Sequence, residues 1–185
     1  PKLTVSATSG DGTFTLNGGA VYMHGDYDQV MEWDLWGDYY HQLSDGVGAY
    51  VGGGYYSFRD FLEEGKYAGS PELYGGLVFY LPLTPTIYVA KDFDLTEGTH
   101  ATLSLTQSVP LSDTGVALNL VGTIDYNHEY YRPDSGFSYA DLTATLSLPF
   151  GPLTVSPMAT VQAAIADDGY FGDWGIFGIS ASMGF

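Results

Sequence analysis

His128 is followed by Glu129 and stands three residues after Asp125, and His24 stands two residues before Asp26. An imidazole beside a carboxylate is the pair that orients a general base for activating water or a serine hydroxyl. No Ser/His/Asn or Asp/His motif accompanies either histidine, so neither is expected to be catalytic and no enzyme activity is expected. Asp167, Asp168 and Asp173 cluster in one stretch, and oxygen ligands of that kind suit calcium. The preferred reading of that stretch is a solvated turn built on Asp168-Gly169. Phosphate-loop and Cys/His zinc spacings are absent and there is no cysteine, so no metal or cofactor is expected.

The larger chemical signal is charge. Twenty-two Asp and Glu stand against five Lys and Arg, a formal net charge of −17. Nothing here could neutralise a phosphate backbone, which excludes nucleic acid as a partner. A surface so poor in bases concentrates cations and repels anions wherever its acids converge. Whether they converge depends on the elements that carry them.

Those elements are strands. Turn signals divide the chain into eleven extended segments, 2–8, 13–23, 30–42, 47–58, 72–81, 86–94, 101–110, 116–127, 139–150, 153–165 and 174–185. Apolar and polar residues alternate along them with period two. Leu142, Ala144, Leu146 and Leu148 alternate with Asp141, Thr143, Thr145 and Ser147, and Leu103 and Leu105 with Thr102, Ser104 and Thr106. The connections alternate too, long at 59–71, 128–138 and 166–173 and short at 43–46, 82–85, 111–115 and 149–152. No window approaches the ~20 consecutive apolar residues that a membrane helix needs.

Phe177, Ile179, Ala181, Met183 and Phe185 share one face of the last segment, opposite Gly178, Ser180, Ser182 and Gly184. This pattern resembles the closing strand of a bacterial outer-membrane β-barrel, and its terminal aromatic resembles the signature read by barrel-insertion machinery. The resemblance implies an all-β fold: an antiparallel up-and-down transmembrane β-barrel of 10 to 12 strands in the outer membrane, with lipid around it. Residues 1–185 are read as one barrel domain, with 1–12 either a periplasmic lead or an incomplete first hairpin. The first case gives ten strands from Thr13; the second gives twelve, because bacterial single-chain barrels have even counts. Tyr22, Trp33, Tyr39, Tyr55, Tyr126 and Trp174 are expected at the two interfaces. Lys91, His24, His41 and Gln107 fall on the lipid face near strand ends, where Lys91 is tolerable if it snorkels outward. Pro157 removes a ladder donor inside a strand, which predicts a bulge.

Within that group, Pro71-Glu72-Leu73-Tyr74-Gly75-Gly76, Leu81-Pro82-Leu83-Thr84-Pro85 and Tyr88 with Asp92-Phe93-Asp94 are similar to the centre of the TorF-like porins. Glu32 and Asp34, and Ser147-Leu148-Pro149 before Leu153-Thr154-Val155-Ser156-Pro157, are similar in order and spacing. The resemblance runs from about Thr13 onward. It implies a porin-type barrel with no assigned substrate and an additional N-terminal strand.

Inward parity gathers Glu32, Asp34, Asp38, Glu72, Asp92, Asp94, Asp125, Glu129 and Asp141, mostly in the extracellular half. These acids read either as a cation-preferring mouth or as a solvated rim hydrogen-bonded to Tyr74, Tyr80 and Tyr88. Gly48, Gly52, Gly54 and Gly76 either widen the lumen or let Tyr50, Tyr56 and Trp36 pack across it. The expectation is a barrel that passes small hydrophilic solutes, cations in preference. The alternative is a non-conducting structural or adhesive barrel.

Overall fold

The computed structural model describes residues 2–23, 29–59, 67–130, 134–166 and 172–183. Every regular element among them is a strand: β1 (Lys2–Ser9), β2 (Gly12–Met23), β3 (Gln29–Ser44), β4 (Val47–Arg59), β5 (Tyr67–Phe79), β6 (Pro85–Asp92), β7 (Thr99–Pro110), β8 (Ala117–His128), β9 (Gly136–Phe150), β10 (Leu153–Ala164) and β11 (Trp174–Met183). They form one antiparallel sheet in chain order, each strand paired with the next. Among the described residues no ladder joins β1 to β11. Lys2–Ser9 pairs fully with Gly12–Gly19, so the sheet takes in the segment that a ten-strand count from Thr13 leaves out.

The connections at one edge are tight, at residues 10–11, 45–46 and 151–152, with 80–84 and 111–116 somewhat longer. Gly10 and Gly151 adopt φ of 58° and 66° there, the left-handed region that glycine enters without a Cβ penalty. At the opposite edge lie 24–28, 60–66, 93–98, 129–135 and 165–173. The two-residue turns thus all lie at one edge and the three longest connections at the other, while 80–84 and 111–116 match 24–28 and 93–98 in length.

Two prolines depart from expectation. Pro71 suggests a loop, yet it lies within β5, opposite Tyr55 of β4. Its other flank is not β6 but the connection after it, where Phe93 N–H donates to the Pro71 carbonyl at 3.1 Å. This stretch of β5 is paired on one side only, which is where a strand tolerates a residue with no N–H. Pro157 produces no bulge. Ladder pairing to β9 lapses at Ser156 and Pro157 and resumes in the same register, Val155 opposite Leu148 and Met158 opposite Thr145. Pairing to β11 runs through Pro157 without a break. The missing donor costs ladder bonds rather than an extra residue. The register shift in this half of the sheet is instead between Ile124 and Tyr126 of β8.

Burial is the reverse of that in a water-soluble sheet. Buried positions are mostly polar, with Asn17, Ser70, Glu72, Asp92, His100, Asp125, Asn127 and Gln162 among them, while the buried hydrophobic residues are Tyr74 and Ala90. Exposed positions include Leu16, Leu35, Val51, Leu73, Val89, Leu103, Leu142 and Val161. Cross-strand partners share a face, and the registers put these apolar residues together on one face and the buried acids on the other. Exposed Leu and Val scattered singly would need no explanation; a whole apolar sheet face does.

The sheet curls toward its polar face. Tyr130, just beyond β8, donates its hydroxyl to Glu72 Oε2 on β5. In a flat sheet those strands would be about 14 Å apart at the usual strand spacing.

Candidate functional site

The polar face carries a chain of aromatic and acidic side chains whose positions follow from register. Asp38, Gly52, Tyr74, Ala90, His100 and Asn127 form one row across β3 to β8. Tyr40, Tyr50, Gly76, Tyr88, Thr102 and Asp125 form the next row toward the tight edge. Trp36, Gly54, Glu72 and Asp92 form the row toward the other edge. Each row holds one glycine beside a large ring: Gly52 beside Tyr74, Gly76 between Tyr50 and Tyr88, and Gly54 beside Trp36. The phenol end of Tyr74 lies over Gly52, that of Tyr50 over Gly76 and that of Tyr40 over Gly48, close enough that a Cβ on any of these glycines would collide with the ring. The glycines thus let the rings lie against the sheet.

These rings bound a cavity of about 320 Å³ lined by Trp36, Asp38, Tyr40, Tyr50, Tyr56, Tyr74 and Tyr88. Trp36 and Tyr56 stack at 21° with centroids 6.3 Å apart, and Tyr50 and Tyr88 at 24° and 6.4 Å. Tyr74 donates to the Gly37 carbonyl at 3.2 Å, which fixes the ring across β4.

Beside the cavity, Glu72 accepts hydrogen bonds from Tyr88 at 3.2 Å and from Tyr130. The ring of His100 lies between those of Tyr88 and Tyr130, at 5.2 and 4.6 Å. Its Nδ1 is 3.1 Å from Asp125 Oδ2, and Asp125 is fully buried. Asp125 is therefore the partner of His100, a residue that sequence reasoning passed over, and not of His128. Period two places positions 125 and 128 on opposite faces of β8. His128 is exposed and bonds Ser135 Oγ at 2.6 Å.

Asp92 has a different task. Its Oδ1 accepts the main-chain N–H of Asp94 and Thr96 at 3.0 Å and of Glu97 at 3.2 Å, closing the 93–98 connection. Asp94 lies in that connection and is exposed, past the end of β6. Replacing Asp92 by Ala removes three acceptor bonds at once and is expected to cost about 2 to 3 kcal/mol. Limited proteolysis within 93–98 and urea unfolding would read that loss.

Asp34 lies in the row beyond Trp36, opposite Tyr56, and Glu32 lies two residues further along the same face of β3. Asp141 sits away from the aromatic rows, opposite Thr123 and Gln162. Glu129, at φ 58°, follows β8 in the next connection. The structure therefore brings Asp38 to the cavity, Glu72 beside it and Asp125 to His100, and leaves Asp94, Glu129 and Asp141 outside this cluster.

On the apolar face, Lys91 stands opposite Leu73, and its ammonium donates to the Glu97 carbonyl in the connection beyond the strand end. His41 stacks on Tyr39 at 6.2 Å. Trp33, Tyr39, Tyr55 and Tyr126 are exposed on this face, and Tyr126 meets Phe137 edge-on at 5.6 Å. Trp174 is the first residue of β11 and is exposed. It pairs with buried Gln162 and so belongs to the polar face. Phe177, Ile179 and Ala181 are exposed and pair with Ala159, Pro157 and Val155, and Met183 continues their register opposite Leu153. Tyr22 keeps its place in β2, with its side chain outside the described set. Phe185, His24, Asp26, Asp167 and Asp168 lie outside the described residues. Asp173 is described, and its Oδ1 accepts the Ala164 N–H at 3.0 Å. No known family model matches the sequence, and no curated protein matches it.

Proposed function

We propose that the sheet closes as a transmembrane barrel in the outer membrane of a Gram-negative bacterium and works as a porin-like pore of the TorF type. It passes small hydrophilic solutes, cations in preference. The observation that carries this reading is the reversed burial: acids, amides and hydroxyls inward, leucines, valines and ring girdles outward. Lipid is the solvent that makes such a surface favourable, and a closed sheet is the strand arrangement that leaves no unpaired backbone in it. The tight connections would face the periplasm and the longer ones the exterior. Because strand direction alternates, β1 and β11 run the same way. A twelfth strand between them gives an all-antiparallel ring of even count, which favours twelve over ten.

The cation preference rests on Asp38 and Glu72 on the polar face of a chain with five Lys and Arg in all. Carboxylates inside a low-dielectric wall focus a field that admits cations. Single channels in a planar bilayer under a salt gradient test this. Steady cation-selective steps are expected, with the cation-to-anion permeability ratio falling roughly twofold or more in Asp38→Asn and Glu72→Gln.

One observation favours a second reading, a non-conducting structural or adhesive barrel. The rings laid over glycines, and the knot of Glu72, Tyr88, His100 and Tyr130, fill space that a pore would leave open, and barrels near eight strands are filled in this way. A correctly inserted barrel without conductance would end the porin reading and leave this one.

A further inference from the structure

We propose that the cavity between β3 and β6 is a binding site for a small organic ammonium ion, of the quaternary or alkylated amine class. The inference rests on reading this face as the lumen wall. The volume of about 320 Å³ lies at the lower end of the roughly 300 to 1,000 Å³ typical of small-molecule sites. What selects the ligand is the lining. Tyr50 and Tyr74 lie with their phenol ends over Gly76 and Gly52, and both rings line the cavity. Trp36 and Tyr56 are near parallel, as are Tyr50 and Tyr88. The face of an aromatic ring carries negative quadrupole density, so a cavity lined by Trp36 and five tyrosines attracts a cation, and desolvation strengthens the attraction.

Asp38 supplies a carboxylate, and among the described residues that line the cavity there is no Lys or Arg. A bare alkali ion gains little here because it must shed strongly held water to touch a ring. An alkylated ammonium sheds little, and its methyl groups gain from the apolar contact. A sugar would gain from ring stacking and would donate hydroxyls to the carboxylate, but it brings no positive charge for the carboxylate and the ring faces to attract. The arrangement therefore matches a cation with an apolar shell better than either.

Choline and its uncharged isostere 3,3-dimethylbutan-1-ol are the probes, titrated calorimetrically into the intact chain folded in detergent micelles. Choline is expected to bind at least about tenfold more tightly than the isostere, the separation that a ring-lined, charged site supports. Tyr50→Leu should weaken choline about fivefold or more while Tyr50→Phe stays within about twofold, because the π face and not the hydroxyl is the ligand. Equal affinity for choline and the isostere, equal losses in Tyr50→Leu and Tyr50→Phe, or glucose binding as tightly as choline would each overturn the proposal. The wild-type comparison needs no variant to fold. Binding does not require conductance, so the two readings fail separately. A non-conducting protein that prefers choline ends the pore and keeps the site, and a cation-selective pore that ignores the charge does the reverse.

Discussion

Leu142→Lys is expected to destabilise the protein folded in lipid vesicles by about 2 to 4 kcal/mol, the cost of a cation near the midplane of a membrane barrel. Leu142 lies near the middle of β9, 51% exposed on the apolar face, with Gly122 and Val161 as its cross-strand partners. Thr143 next to it faces the other way and shares a 2.8 Å hydroxyl contact with Thr160. Thr143→Lys should lose only that bond, about 1 kcal/mol, since its charge enters a polar and acidic space. In a soluble sheet the order would invert. An exposed Leu→Lys change in water usually falls within about 0.5 kcal/mol, and often helps solubility. Reversible urea unfolding from vesicles, followed by tryptophan fluorescence, measures both variants, and a neutral Leu142→Lys would defeat the membrane reading.

The strands were legible because two local signals agree. Period-two alternation marks each segment, and Gly, Pro, Asn and Asp mark its ends, so all eleven segments correspond to β1 to β11. Where they fail, a non-local partner decides. β5 begins at Tyr67 and not at Glu72 because β4 offers a ladder past Pro71, and β9 begins at Gly136 because Tyr126 and Asn127 pair with Phe137 and Gly136. Asp94 falls past the end of β6 because Asp92 captures three N–H groups and turns the chain. That Asp38 and Glu72 lie on one face is readable from parity. That Tyr50 covers Gly76 and Tyr74 covers Gly52 is not, since register between strands had to be known first. The rings of Tyr40, Tyr74 and Tyr50 lie over Gly48, Gly52 and Gly76 along the sheet.

The same limit hid His100, and it leads to the second large effect. His100 and Asp125 are 25 residues apart in sequence and meet because β7 pairs with β8 so that Thr102 lies opposite Asp125 and His100 opposite Asn127. The pair is a diagonal contact across one face, within reach of long side chains. Asp125 Oδ2 accepts His100 at 3.1 Å, while its Oδ1 has no hydrogen-bonding partner among the described residues. His100→Leu would leave a wholly buried carboxyl without that imidazole and is expected to cost about 3 kcal/mol or more. Asp125→Leu removes the acid and costs the imidazole that one bond, about 2 kcal/mol. Replacing both removes the mismatch together with the pair. The double variant should be at least about 2 kcal/mol more stable than the sum of the single losses implies. Urea unfolding of the four proteins in vesicles completes the cycle. Strict additivity would mean that His100 and Asp125 are held by the surrounding tyrosines and not by one another.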